Sequence, residues 1–409
     1  MTINLANRQI NFQQFEAELR GNILPFWMQR GPDRENGGFY GAIGNDLHIN
    51  NEIERSAVLC SRILWTFSTA ASLYGDEAYL ATARRAFDEL SGRFWDDKHG
   101  GIYWSLDRHG QPINDRKHTY AQAFSIYGLS AYYHATGEPR SLALAKLLFA
   151  LVETHTFDPL NGGNLECRAR DWSALKDMRL SAIDIDSPKS MNTLLHLMEA
   201  YAALLQVWPD KTLTEKLRGL VKVFLEHVID PHSAHQRLFF DEQWNSLSNA
   251  ISYGHDIETS WLLVEAAEVL NDPFLLGQAR SKSVAMAQVV YDQALGPDGS
   301  VLYELDPIEH SKDDRRHWWA HAEAVVGFYN AYQLSGQPHF AQASEKVWDY
   351  IRAHFVDHRN GDWFKLLTAG GEPILEHPKV GPWECPYHHA RMCYEMIRRG
   401  KGDKQELAD

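Results

Sequence analysis

The chain has 409 residues, 44% of them hydrophobic and 23% charged, ordinary proportions for a globular protein with a large buried core. A net charge of −14 argues against a nucleic-acid backbone as partner and leaves a neutral polar ligand open. No run of 18 apolar residues occurs, and Met1–Ile10 lacks a basic stretch followed by an apolar one, so no membrane and a cytoplasmic location are expected. The four cysteines, Cys60, Cys167, Cys385 and Cys393, form no CxxC pair, which speaks against a zinc knuckle or a disulfide framework.

Taken in order, the chain repeats. Aspartate-led Gly or Pro turns recur about every 60 to 70 residues, at Asp33, Asp97, Asp158, Asp230, Asp298 and Asp357. Each leads into a short extended piece. Between them lie helix-stop, helix-start signals such as Tyr74-Gly75-Asp76, Thr136-Gly137-Glu138-Pro139 and Ser335-Gly336-Gln337-Pro338. The helix before each signal is apolar on nearly every side, as in Ala121–Tyr133, Asn192–Leu205, Trp261–Leu270 and Ala322–Tyr332. The helix after it is amphipathic. The unit is therefore an inner and an outer helix, and the count closes with Phe12–Gln29 as the first outer helix and Tyr387–Arg398 as the last inner one. The expected fold is all-α: an (α/α)6 barrel of six inner and six outer helices forming one catalytic domain over residues 1–409. An open solenoid is the alternative, but no end-capping repeat is visible. The charged tail Gly400–Asp409 is expected to fray.

In such a ring the inner helices run parallel, and their N-terminal ends open on one face. Those ends are rich in polar, ionisable and aromatic residues, the profile of a pocket. Arg55 and Arg62 stand at the first, His118, Tyr120 and Gln122 at the second, and Asn192 and His196 at the third. Beyond them come His255, Glu258 and Trp261, then His317 to Glu323, then Trp383 to His389. In Tyr253-Gly254-His255-Asp256-Ile257-Glu258, Asp256 is expected to cap the helix, with His255 at its lip and Glu258 one turn in on the same face. Tryptophans beside planar polar groups suit a sugar, and Trp261, Trp319 and Trp383 are the stacking candidates.

Three blocks, Gly254-His255-Asp256-Ile257-Glu258, Trp318-Trp319-Ala320-His321-Ala322-Glu323 and Gly381-Pro382-Trp383-Glu384-Cys385-Pro386-Tyr387-His388, resemble the cellobiose 2-epimerases of the N-acylglucosamine 2-epimerase superfamily. Arg62-Ile63-Leu64-Trp65 and Tyr120-Ala121-Gln122-Ala123-Phe124 are similar to earlier motifs of the same family. The resemblance implies that His255 and His388 are an acid/base pair at C2 of the sugar. It implies that His196 assists ring opening or holds the sugar and that Arg62 binds the enediolate oxygens. Glu258 and Glu323 would orient the histidines, and Tyr120 and Asn192 would contact the sugar. The substrate implied is a disaccharide such as cellobiose, with mannobiose and N-acylglucosamine epimerases as neighbouring possibilities, and the protein a monomer or homodimer.

The chemistry is consistent with those residue types. Epimerising C2 of an aldose needs an opened ring, a proton removed from one face and one returned on the other. Two groups near neutral pKa suit that task, and a fixed guanidinium can carry the oxyanion without a cofactor or a metal. No GxGxxG follows a strand and no P-loop occurs. Three rivals remain: a glycoside hydrolase using Glu258, Glu323, Asp184 or Asp186, a metal enzyme using His388, His389, His321 and Glu258, and a non-catalytic sugar-binding module.

Overall fold

The structure, a computed structural model, describes residues 10–406. Residues 1–9, read above for a leader, and 407–409 of the tail lie outside the described residues. The first outer helix is α1 (Phe12–Glu18), which continues through a π-helical turn at Leu19–Ile23 into α2 (Leu24–Arg30). The remaining outer helices are α4 (Glu77–Gly92), α6 (Pro139–His155), α8 (Lys211–Val223), α10 (Pro273–Gln293) and α12 (Pro338–His354). The inner ones are α3 (Ala57–Tyr74), α5 (Thr119–Thr136), α7 (Met191–Val207), α9 (Tyr253–Leu270), α11 (Trp318–Ser335) and α13 (Tyr387–Glu406). This is the expected (α/α)6 barrel. Among the described residues no helix is long and apolar enough to cross a membrane.

The stop and start signals act as read. Gly75, Gly137 and Gly336 end inner helices in the left-handed conformation. Asp76, Asp210 and Asp272 then cap the outer helices that follow. Three differences from the sequence reading have local causes. The second repeat's turn is organised by Asp96, which accepts the amides of Lys98 and His99, and not by Asp97. Asp256 does not cap α9, because Ser252 occupies the cap position. The last inner helix does not end at Arg398: α13 runs on into the tail through Gly400, whose missing side chain is what allows Phe12 to pack there.

The ring closes by three means. On the inside, α13 packs on both α11 and α3. On the outside, Phe15 stacks on Trp348 of α12 at 4.5 Å, and the Trp348 indole donates to Gln14 at 3.0 Å. At the rim, the Ile43 amide donates to the Val380 carbonyl at 2.9 Å. Short strands staple five of the six inner-helix starts, those of α3, α5, α7, α9 and α11, to the loop of the next repeat. Arg55–Ser56 pairs with Ser105–Leu106, Lys117–His118 with Cys167–Arg168, and Lys189–Ser190 with Phe239–Phe240. Ile251–Ser252 pairs with residues 304–305 and Arg316–His317 with Leu366–Leu367.

Buried ion pairs reinforce the same rim. The turn aspartates Asp33, Asp96, Asp158 and Asp357 meet Arg55, Lys117, Lys189 and Lys379 at 2.5, 3.1, 2.7 and 2.9 Å. Arg55 is thus a clamp and not a pocket residue. A second repeated grip uses the fourth residue of an inner helix. Gln122, Asp256 and His321 accept the amides of Ile102, Gln236 and Val301, each twenty residues upstream. These residues hold loops onto helices, which satisfies buried backbone groups.

Candidate active site

The first turns of α3, α5, α7, α9, α11 and α13 bring one cluster of polar and aromatic side chains into contact at the end of the ring. His255 and His388, from distant parts of the chain, lie against a single indole: the Trp319 ring is 4.7 Å from His255 and 5.5 Å from His388. Gly254 makes this possible. A Cβ there would stand 2.7 Å from the Trp319 ring and 2.9 Å from Ala320, so only glycine lets α9 approach α11 so closely.

Three imidazoles are held the same way. Nδ1 of His388 meets Glu323 at 2.7 Å, Nδ1 of His196 meets Glu199 at 3.0 Å, and Nδ1 of His255 meets the Ser252 hydroxyl at 2.8 Å. Among the described residues no side chain takes the Nε2 of any of them. A carboxylate accepts, so His388 and His196 donate from Nδ1 and carry their lone pair on Nε2. Burial holds His255 neutral, lowering it to about 3. Burial, then the charges of Arg62 and Arg391, hold His388 well below the usual imidazole range.

Glu258 does not orient His255, as the sequence spacing suggested. Its Oε1 is 2.5 Å from Arg391 and 3.8 Å from His388 Nδ1, because the guanidinium of α13 outcompetes a neutral ring on its own helix. Arg391 also takes Glu323 at 2.7 Å and Glu199 at 2.5 Å, and it donates to the Tyr387 hydroxyl. Burial and the neighbouring Glu323 push Glu258 up to about 7, even with Arg391 beside it. Against the same desolvation, Arg391 and His196 hold Glu199 down at about 2.

Arg62 of α3 stands over the ring of Tyr387 at 4.8 Å. It donates to the Tyr120 hydroxyl at 3.0 Å and stacks over Phe124 at 4.2 Å, and its Nε has no protein partner. Asn192, at the second residue of α7, has a buried Oδ1 without a partner. Trp383 is half-buried against Tyr120 and Trp104, at 5.7 and 5.9 Å. Trp261 does not offer a free platform. It is 1% exposed, the Arg391 guanidinium sits 4.8 Å over its ring, and its indole N–H donates to Glu323 at 3.1 Å.

The rival chemistries meet the same geometry. One guanidinium, Arg391, binds Oε1 of both Glu258 and Glu323, and Oε2 of Glu323 accepts from Trp261, so although Glu258 Oε2 has no partner the two do not form a free acid and base pair flanking a glycosidic bond. Asp184 and Asp186 accept the amides of Ser181 and Met178 within their own loop. Glu258, Glu323 and His388 bring ligand atoms within 4.8 Å of one another, but the cation at that point is the Arg391 guanidinium. His389 and His321 lie elsewhere. His389 binds Asp362 at 2.6 Å, and His321 accepts from the Val301 amide.

Sequence reasoning missed Arg391, Glu199 and Ser252. Two signals were present: a lone arginine three residues after His388 in an otherwise apolar stretch, and a Glu three residues after His196, the same spacing that drew attention to His255 and Glu258.

Comparison with known proteins agrees. The family model for N-acylglucosamine 2-epimerase (GlcNAc 2-epimerase) matches residues 38–391. The cellobiose 2-epimerase of Bacteroides fragilis is 42% identical over 387 residues, covering 94% of this chain and 98% of the relative. That of Ruminococcus albus is 38% identical over 388 residues, covering 95% and 98%. The solved cellobiose 2-epimerase of Bacillus thermoamylovorans superposes with a TM-score of 0.90 at 38% identity, over 95% of this chain and 99% of that one. With a pocket of paired imidazoles at the mouth of the ring and these relatives along nearly its whole length, the chain belongs to the N-acylglucosamine 2-epimerase family and is a carbohydrate epimerase.

Proposed function

We propose that the protein epimerises C2 of the reducing-end sugar of a β-1,4-linked disaccharide, converting cellobiose to 4-O-β-D-glucosyl-D-mannose. The observation that carries this reading is the pair His255 and His388 on one indole, each tied at Nδ1 and free at Nε2. After ring opening C1 is a carbonyl, which acidifies the C2 proton. One imidazole Nε2 takes that proton from one face, and the electron pair moves to C1–O to give an enediolate. The other imidazole, neutral in the free protein, takes up a solvent proton when the sugar is bound and returns it to the opposite face. His388 can hold the positive charge it gains because Glu323 accepts its Nδ1–H. Arg62, with an unpartnered Nε, suits the enediolate oxygens. Tyr120 and Asn192 suit the sugar hydroxyls, and Trp319 and Trp383 its apolar face. Trp261 and Glu258 act on this reading through Glu323 and Arg391.

Incubation with cellobiose, mannobiose, lactose and N-acetylglucosamine, followed by NMR, tests the proposal. The expected product from cellobiose is glucosyl-mannose with no free glucose. Glucose release would make the protein a hydrolase, and turnover of N-acetylglucosamine alone would move the substrate to an N-acyl monosaccharide.

A further inference from the structure

We infer that Glu199 is a positioning residue that locks His196 as the Nδ1–H tautomer and so presents Nε2 to the pocket as a proton acceptor. Glu199 has no solvent role, since it is buried in α7, one turn beyond His196. Its Oε2 lies 3.0 Å from His196 Nδ1. The Tyr387 hydroxyl donates to both of its oxygens at 2.6 Å, and Arg391 donates to Oε1 at 2.5 Å. Surrounded by donors, the carboxylate has only acceptor capacity toward the imidazole. His196 must then donate from Nδ1, which leaves the lone pair on Nε2.

The same Arg391 donates to Glu323, which holds His388 in the equivalent way. One guanidinium is therefore the common strut of two carboxylate–imidazole pairs, on α7 and on α11 with α13. The His196 ring lies edge-on to Tyr120 at 5.2 Å, and Tyr120 accepts from Arg62, so the acceptor so presented belongs to the sugar-facing side of the pocket. A network of this kind needs each partner's geometry fixed by the next. The catalytic consequence rests on the epimerase reading, whereas the tautomer does not.

The test uses the full-length protein with 15N-labelled histidine, Glu199→Ala and Glu199→Gln. Imidazole 15N shifts should report a protonated Nδ1 for His196 in the wild type and a loss of that preference in Glu199→Ala. With cellobiose, kcat should fall about 100-fold while KM stays within about threefold. Glu199→Gln, which keeps the shape and an acceptor oxygen, should retain the tautomer and recover part of kcat. A His196 tautomer and kcat equal to wild type in Glu199→Ala would overturn the inference. If that variant does not fold, the inference is overturned by a Glu199→Gln protein whose tautomer has shifted while its kcat is unchanged. Failure of the epimerase reading would appear separately, as a wild-type protein that exchanges no C2 proton of any disaccharide.

Discussion

His388 and His389 are neighbours on α13, yet they belong to different buried ionic clusters. His389 joins the rim. It meets Asp362 at 2.6 Å, Asp362 meets Lys365 at 2.8 Å, and Lys379 beside them binds Asp357 at 2.9 Å. His388 joins the pocket, with Glu323, Glu258 and Arg391. Both clusters are built from imidazole, carboxylate and cation, and both are buried. The rim cluster turns its charges on one another and on backbone amides, leaving one ring nitrogen, His389 Nδ1, without a partner, so it fastens the last loops to the ring. The pocket cluster leaves the Nε2 atoms of three histidines, the Arg62 Nε and the Asn192 Oδ1 without protein partners. Unspent hydrogen-bonding capacity in a buried place costs stability unless a ligand supplies the partner, and here it marks the working half of the ring's end.

That contrast can be broken at either side. The largest effect on stability is expected at the rim. Asp362→Ala strands Lys365 and His389, and removal of one partner of a buried ionic group costs about 3–5 kcal/mol. The unfolding midpoint in urea should drop accordingly, while kcat per folded molecule stays within about threefold. A large fall in kcat at unchanged stability would place the rim cluster in the chemistry. Arg62→Lys should do the reverse, lowering kcat by about 100-fold, roughly 2.7 kcal/mol, with little change in the urea midpoint, because a point charge does not reproduce the guanidinium fork. Trp383→Ala should mainly raise KM for the disaccharide, by about tenfold or roughly 1.4 kcal/mol. An unchanged KM would remove Trp383 from the binding surface.

A pH dependence follows from the buried histidines and carboxylates at this end of the ring. Burial lowers His118, His255 and His321 to about 3, and burial with the Lys365 charge lowers His389 to about 4. In the unfolded chain the same imidazoles titrate near 6.5. Unfolding therefore takes up protons below pH 6.5, so their contribution to stability is full above that value and is lost as pH falls toward 3 to 4. Glu166 works in the opposite sense. Burial pushes it to about 8, so its contribution is full below about 4.5 and declines as pH rises toward 8. Calorimetry from pH 7 to 4 should show a falling melting temperature and net proton uptake on unfolding. A melting temperature that is flat over that range would contradict the buried-neutral assignment.

The ring was legible in the sequence because its determinants are local. Glycine and aspartate at the inner-to-outer turns act within a few residues, and the aspartate-led loops recur at a near-constant interval. The direction of individual side chains was not, because their partners are remote. Asp256 looked like a cap and instead accepts from His235 and the Gln236 amide, contacts created only when the loop folds back. Glu258 looked like a partner for His255 and was drawn to Arg391, 133 residues away. His321, at the same end of the ring as the working histidines, proved to be a loop grip. Position at a helix start thus identified the pocket's neighbourhood, while the long-range donors decided which side chains stayed free within it.

The central claim is that His255 and His388 flank C2 of the opened sugar, and hydrogen exchange reads it directly. Wild-type protein in heavy water should place deuterium at C2 of the reducing-end sugar of cellobiose. His255→Ala and His388→Ala, still folded, should each lose that exchange by about 10³-fold or more. Exchange at near the wild-type rate in either variant would contradict the account.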